Sequence, residues 1–117
     1  MSMKKILILL IVISFIIIFS ISYFSSAFKT PQKSEFEKAK EICIKECERA
    51  LYLGQNLENG PCLLNPINDL LNWVCDVAHM PRQDVDNLPQ NQCSAFREGK
   101  AKHFVEVSPS CEFIRGY

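Results

Sequence analysis

The sequence has no run of like charge after its first 28 residues. The chain of 117 residues contains 13 lysines and arginines and 13 aspartates and glutamates. Lys4 and Lys5 are the only charged residues before Lys29, so the rest of the chain carries 11 basic and 13 acidic residues. Proteins that bind nucleic acid or an anionic membrane surface through charge concentrate lysine and arginine in one region. The composition therefore excludes electrostatic recruitment to either, and we predict no nucleic-acid partner.

The sequence also lacks a residue pattern that specifies a reaction or a cofactor. It contains no nucleophile elbow, and its part after residue 28 has no internal repeat and no Asn-x-Ser/Thr sequon. We therefore predict a non-catalytic protein without a cofactor. A small extracytoplasmic enzyme is an alternative function, in which His79 or His103 is the acid-base group and Asp76 or Glu106 is its orienting partner.

One long segment near the N-terminus is free of charge. Ile6 to Phe28 comprises 23 uncharged residues, and a helix rising about 1.5 Å per residue makes this long enough for a hydrocarbon core of about 30 Å. The segment exceeds the apolar region of about 7–15 residues that is typical of a signal peptide. We therefore predict that residues 1–28 are a membrane anchor with the lipid bilayer as its partner. The small residues Ser25 to Ala27 leave secretion after cleavage near Ala27 as the alternative.

Two patterns give opposite orientations for this anchor. The positive-inside rule alone favours a domain on the inside, because four lysines follow the segment closely: Lys29, Lys33, Lys38 and Lys40. A short basic start before an apolar run is instead the export pattern, and six cysteines in a small domain fit an oxidising exterior. We therefore predict a single-pass protein of the cell membrane whose domain faces the exterior.

The part after the anchor is small and rich in cysteine. Residues 29–33 are a polar linker, and residues 34–117 are long enough for one domain with a thin hydrophobic core. Three disulfides would each stabilise such a domain by about 2–4 kcal/mol. We predict that all six cysteines are disulfide-bonded, in a connectivity that their spacing does not determine: Cys43, Cys47, Cys62, Cys75, Cys93 and Cys111.

The spacing of three of these cysteines also permits a metal site. Cys43 and Cys47 are four residues apart on a predicted helix, and Cys75 and His79 have the same separation. Together the four side chains form a Cys3His set of the kind that binds zinc. A metal-binding or thiol-redox protein is therefore a second alternative function, and it requires free or metal-bound thiolates.

The segment from His79 to Gln92 contains two prolines and little periodicity, which predicts an ordered irregular loop. Within it, the Asp-Val-Asp-Asn run at 84–87 resembles the opening of a calcium-binding loop. The central glycine and the closing glutamate of such a loop are missing. We therefore interpret these side chains as hydrogen-bonding partners of their own loop backbone.

The remaining patterns predict an α+β fold with a two-helix hairpin. Ser34, three residues before Glu37, begins a helix with the stripe Phe36, Ala39, Cys43, Cys47, Ala50 and Leu51, and Gly54 ends it. Asn65-Pro66 predicts a second helix to about Ala78. Its predicted buried face is Ile67, Leu70, Leu71, Val74 and Ala78.

The C-terminal part predicts strands. A helical turn predicted at 94–98 is followed by alternating residues at 103–107, a Ser-Pro-Ser turn and a returning segment at 111–115. This pattern is typical of a β-hairpin. Five aromatic side chains are interpreted as core in preference to an exposed recognition patch: Trp73, Phe96, Phe104, Phe113 and Tyr117.

Three segments of the chain resemble short exported, cysteine-containing proteins of archaea whose function is uncharacterised. They are Trp73 to His79 (WVCDVAH), Cys93 to Gly99 (CSAFREG) and His103 to Val107 (HFVEV), within a resemblance that covers Gly60 to Arg115. The resemblance implies export and implies no activity or site residues. The leading prediction is a membrane-anchored extracytoplasmic domain that binds an extracytoplasmic protein partner or associates with the envelope.

Overall fold

The computed structural model describes residues 1–27 and 31–117, which form two compact units, Met1–Gln32 and Lys33–Tyr117. In the first unit, helix α1 (Met3–Ala27) contains a stretch of 23 residues, Met3–Ser25, that is long and apolar enough to cross a membrane. None of this stretch is buried. The helix is therefore a candidate membrane span or signal sequence. The last residue of the predicted anchor and the first two of the predicted linker lie outside the described residues.

Helix α2 (Glu35–Tyr52) begins and ends as the sequence predicts. The Ser34 hydroxyl accepts a hydrogen bond from the Glu37 backbone N–H at 3.2 Å, which satisfies one of the free amides of the first turn. Gly54 follows the helix with a φ of 78°, the left-handed conformation that glycine adopts without strain. The predicted stripe is buried at Ala39, Cys43, Cys47 and Ala50, whereas Leu51 is exposed.

The predicted second helix is wrong. The chain instead forms strand β1 (Cys62–Leu64) and strand β2 (Trp73–Val77), and Leu71, assigned to the buried face of the helix, is 68% exposed. Every residue of β2 is buried. A strand covered on both faces has a continuous apolar sequence instead of an alternating one, and its periodicity does not distinguish it from a buried helix. The two-helix hairpin is therefore replaced by strands.

The strands form one mixed sheet in the order β1-β2-β3-β4. Strand β3 (His103–Val107) is parallel to β2, and β4 (Phe113–Gly116) returns antiparallel to β3, which confirms the predicted hairpin. The parallel connection from β2 to β3 contains two short 3-10 helices at 84–87 and 89–91 and the single-turn helix α3 (Ser94–Arg97). The fold class is therefore α+β, with the hairpin built into a larger sheet.

Both faces of the sheet are covered, and each has disulfide bonds. Helix α2 packs on one face, where Cys43 bonds Cys75 of β2 and Cys47 bonds Cys111 in the turn before β4. On the opposite face, Cys62 of β1 bonds Cys93, and the segment around α3 packs against Val74 and Phe104. All six cysteines are paired, which confirms the predicted disulfides and supplies the connectivity.

This pairing contradicts the alternative metal or thiol-redox site. Cys43 and Cys75 are bonded to each other, and Cys47 is bonded to a residue 64 positions away. The predicted set of Cys43, Cys47, Cys75 and His79 therefore has no thiolate to offer, because a disulfide sulfur is neither a metal ligand of this kind nor a nucleophile. In residues 1–27 and 31–117, no group of three histidine, cysteine or acidic side chains is placed to hold a metal ion.

Candidate functional site

A pocket of about 320 Å³ lies on the sheet face opposite α2. Successive strand residues point to opposite faces, so Cys75 faces the helix while its neighbours Val74 and Asp76 line the pocket. We call this site the carboxyl-arginine pocket. Its apolar walls include Val74, Phe96 and Phe104, and its ionisable groups are Asp76, Arg82, Arg97, Glu106 and Arg115.

The two carboxyl groups are neighbours because of the strand register. Asp76 of β2 and Glu106 of β3 are direct partners in the parallel pair. They are only 8% and 5% exposed, and an ionised carboxylate is costly to bury unless it is paired. Glu106 is paired with two arginines, whereas Asp76 avoids the cost by keeping its proton at neutral pH.

Glu106 accepts hydrogen bonds from two arginines. Its Oε1 accepts a hydrogen bond from Arg82 Nη1 at 2.7 Å, and its Oε2 accepts one from Arg115 Nε at 2.6 Å. The Arg115 guanidinium also lies over the Phe104 ring, 5.5 Å from its centroid, a cation-π contact. Charge-assisted bonds of this kind fix both arginines at the edge of the pocket.

Asp76 has no such partner. Its Oδ1 atom is buried and accepts no hydrogen bond from the described part of the chain. Burial, and then the neighbouring charge of Glu106, raise the pKa of Asp76 to about 8, against the opposing effect of Arg82. At neutral pH the group is therefore mostly an uncharged carboxylic acid, which has one O–H donor.

The pocket consequently carries excess positive charge. Glu106 balances one of its three arginines, and Asp76 is neutral at pH 7. Arg97 Nη1 donates to the Pro89 carbonyl oxygen at 2.8 Å, and within the two described ranges it forms no salt bridge. Because a guanidinium has five N–H donors, Arg97 has donors left for a ligand.

A second polar cluster closes the loop that follows β2. The His79 Nδ1 and Asp86 Oδ1 atoms are 2.8 Å apart, and Asp86 Oδ2 accepts hydrogen bonds from the backbone N–H groups of His79 and Gln83. The hydrogen bond to Asp86 raises the pKa of His79 despite its burial. Burial raises the pKa of Asp86, but these three hydrogen bonds outweigh it and lower that pKa. Asp86 thus binds its own loop backbone, as predicted for the 84–87 run.

The predicted acid-base pairs are not formed. The partner of His79 is Asp86, not Asp76. His103 stacks on Trp73 with ring centroids 4.6 Å apart, and alternation along β3 places it on the face opposite Glu106. Neither histidine lines the carboxyl-arginine pocket.

The aromatic residues divide between core and pocket. Trp73 is buried and packs against Phe36, whereas Tyr117 is 67% exposed. Phe96 and Phe104 meet edge to face at 5.2 Å in the wall of the pocket. The core interpretation therefore holds for Trp73 and in part for Phe104, which packs against the buried cluster around Val74. It does not hold for the exposed side chains of Phe96, Phe113 and Tyr117.

Sequence reasoning missed the pocket, although one signal was present. Strands β2 and β3 read WVCDV and HFVEV, each with one acid in the fourth position of an apolar run. An acid among residues that are buried on both sides is a candidate for a perturbed pKa. The three arginines come from separate segments, and no local pattern connects them.

No protein-family model, curated protein or solved structure matches this chain. The resemblance to exported archaeal proteins therefore stays a prediction. The assignment of a site depends on the geometry of the carboxyl-arginine pocket.

Gly60 provides a test of the Asp86 cluster. Its φ is 65°, and a Cβ atom built on it would lie 2.6 Å from Asp86 Oδ1 and 3.1 Å from the Val77 carbonyl oxygen. We expect Gly60→Ala to lower the free energy of unfolding by about 3 kcal/mol, about 1–2 kcal/mol of it from the left-handed backbone and the rest from displacing Asp86. Urea unfolding followed by Trp73 fluorescence measures this change.

Gly54→Ala is the matched control for this substitution. Gly54 also has a positive φ, 78°, but a Cβ there meets no atom within 4 Å. It should therefore show the backbone cost without the contact. Equal destabilisation by the two substitutions would show that Asp86 is not held against Gly60.

Proposed function

We propose that this chain is a membrane-anchored extracytoplasmic domain that binds a small molecule in the carboxyl-arginine pocket. The observation that carries this proposal is the Asp76 carboxyl group, which is buried, lines a pocket and has an oxygen, Oδ1, that no group in residues 1–27 or 31–117 hydrogen-bonds. Buried polar atoms are normally hydrogen-bonded. A volume of about 320 Å³ is at the lower end of the roughly 300–1,000 Å³ typical of ligand sites.

Two further features support the location. Helix α1 is a candidate membrane span near the N-terminus, and all six cysteines are paired in disulfides, which persist in oxidising compartments. We propose that the helix stays attached and that the domain faces the exterior.

Protein extracted from the membrane is then expected at its full mass of 13.4 kDa, and alkylation without reduction should modify none of its cysteines. A mass that lacks residues 1–27 would show cleavage instead.

The arrangement of the pocket favours binding over catalysis. An acid and a carboxylate side by side are the groups that many hydrolases use. Here both oxygens of Glu106 accept hydrogen bonds from arginines, so the carboxylate is not free to act as a base or a nucleophile. The pocket residues include no histidine, and their one cysteine, Cys93, is disulfide-bonded.

A fragment screen with a pocket-filling variant tests this proposal. The full chain in lipid nanodiscs would be mixed with small neutral, cationic, anionic and zwitterionic fragments, and binding followed by ligand-observed NMR. Gln92 lines the pocket, whereas Gln90 is exposed and does not line it. We expect fragments that bind the wild type and Gln90→Trp, but not Gln92→Trp. Equal binding to all three proteins, or no binding to any of them, would contradict a binding function at this pocket.

A further inference from the structure

We infer that the ligand of the carboxyl-arginine pocket is a small organic carboxylate with a compact apolar body. The carboxylate of this ligand accepts hydrogen bonds from Arg97 and from the free N–H donors of Arg82 and Arg115. The Asp76 carboxyl group donates a hydrogen bond to it. This inference rests on the proposed function and names the class of ligand for the same site.

The charge of the pocket selects an anion. Arg97 forms no salt bridge in the described ranges, although its charge helps to lower the pKa of neighbouring Glu98, while Arg82 and Arg115 share Glu106. A cation placed here would face three guanidinium groups, and a neutral ligand would leave their excess charge uncompensated in a partly enclosed site. Guanidinium groups match the planar, two-oxygen geometry of a carboxylate.

Asp76 narrows the choice among anions. A carboxylic acid donates one strong hydrogen bond to a carboxylate, and the pair then shares one proton and one negative charge. A dianionic phosphate carries one more negative charge than a carboxylate. This charge would be repelled by Glu106, which is paired with Asp76 across the two strands.

The walls of the pocket account for the rest of the ligand. Val74 is a buried lining residue, and the rings of Phe96 and Phe104, which also line the pocket, form an edge-to-face pair. Such walls favour an apolar or aromatic group, and inorganic anions have none to place there. The volume of about 320 Å³ limits this group to roughly one ring and a short chain.

Three probes on the wild-type chain separate these properties. They are 3-phenylpropionate, the uncharged 3-phenylpropionamide of the same shape, and inorganic phosphate, each titrated into the full chain in nanodiscs at pH 6.5. We expect the carboxylate to bind at least 10-fold more tightly than the amide or phosphate. A net difference of about 1.4 kcal/mol per factor of 10 is within the range of one charge-assisted hydrogen bond.

Variants assign the binding to the named groups. Arg97→Gln should weaken 3-phenylpropionate binding at least 10-fold, whereas Arg49→Gln, an arginine on α2 outside the pocket, should leave it unchanged. The affinity of the wild type should fall as the pH rises through about 8, where Asp76 ionises. Asp76→Asn keeps an N–H donor and should bind without that fall. The charged groups that act on Asp76 are Glu106, Arg82 and Asp86, and the Arg97→Gln and Asp76→Asn variants retain all three.

Three other outcomes would overturn the inference, and each can be distinguished from failure of the proposed function. If the amide binds as tightly as the carboxylate, or phosphate binds best, the ligand class is wrong while the pocket still binds. If no probe binds, the inference fails, and the fragment screen with Gln92→Trp decides the proposed function separately. If Arg97→Gln and Arg49→Gln weaken binding equally, the carboxylate does not occupy this pocket.

Discussion

Asp76→Asn is expected to raise the free energy of unfolding by about 4 kcal/mol at pH 7. In the folded protein the Asp76 pKa is raised from 3.8 to about 8, chiefly by burial. Between about pH 4 and pH 8 the native state holds this proton and the unfolded state releases it. The contribution of Asp76 to the free energy of unfolding of the wild type therefore falls as the pH rises through this window, by about 1.4 kcal/mol per pH unit. Asparagine has no proton to release, so it removes this loss.

The pH profile distinguishes this cause from a general effect of substitution. Wild type and Asp76→Asn should be about equally stable near pH 3, where the acid is protonated in both states, and should diverge steadily up to pH 8. Asp69→Asn is the matched control, because Asp69 is an exposed carboxylate, and it should follow the wild type throughout. Urea unfolding of the full chain, followed by the fluorescence of the single tryptophan, Trp73, provides the measurement. A constant difference at every pH would contradict a buried, protonated Asp76.

His79 gives the variant a remaining pH dependence. Its pKa is raised above 6.5, mainly by the hydrogen bond to Asp86. A base whose pKa is raised on folding contributes stability below its unfolded pKa and loses it as the pH rises through the folded value. Asp76→Asn should therefore keep a shallower decline in stability that begins near neutral pH. Combining it with His79→Gln should flatten the profile further.

The parts of the fold that sequence predicted are those whose information is local. Helix α2 has a capping serine, a one-sided apolar stripe and a stop glycine within some 20 residues, and tertiary packing only confirms them. The hairpin of β3 and β4 is similar, because a short turn joins alternating segments. The uncharged run of α1 is long enough for a helix on length alone.

Strand β2 shows where local information ends. Its WVCDV sequence is as compatible with a buried helix as with a strand, and Asn65-Pro66 before it is also a favourable helix start. Pairing with β3, whose partner residues lie 30 positions along the chain, decides the conformation. The same register sets Asp76 beside Glu106. A helix assignment for residues 73–77 therefore cannot predict the site, because a helix gives Asp76 no fixed neighbour on the 103–107 strand.

Replacing Cys47 and Cys111 together by alanine is expected to lower the free energy of unfolding by about 4 kcal/mol. This disulfide closes the longest of the three loops, with a separation of 64 residues, and so removes the most entropy from the unfolded chain. It also ties α2 to the turn before β4, on the face opposite the carboxyl-arginine pocket. Binding of 3-phenylpropionate under conditions in which the variant is folded should therefore be unchanged. Equilibrium unfolding of variant and wild type measures the loss.

One comparison tests whether chain entropy is the cause of this loss, and a second tests the backbone strain at residue 111. Removing the Cys62–Cys93 bond, with a separation of 31, should cost about 0.6 kcal/mol less by loop length alone. It should also weaken ligand binding, because Cys93 lines the pocket.

Cys111 has a φ of 68°, which disfavours any residue with a Cβ. Cys47→Ala with Cys111→Gly should therefore recover about 1 kcal/mol of the loss suffered with alanine at 111. If glycine recovers nothing, strain in the turn is absent; if the double alanine variant is as stable as the wild type, the disulfide is not what holds α2 to the sheet.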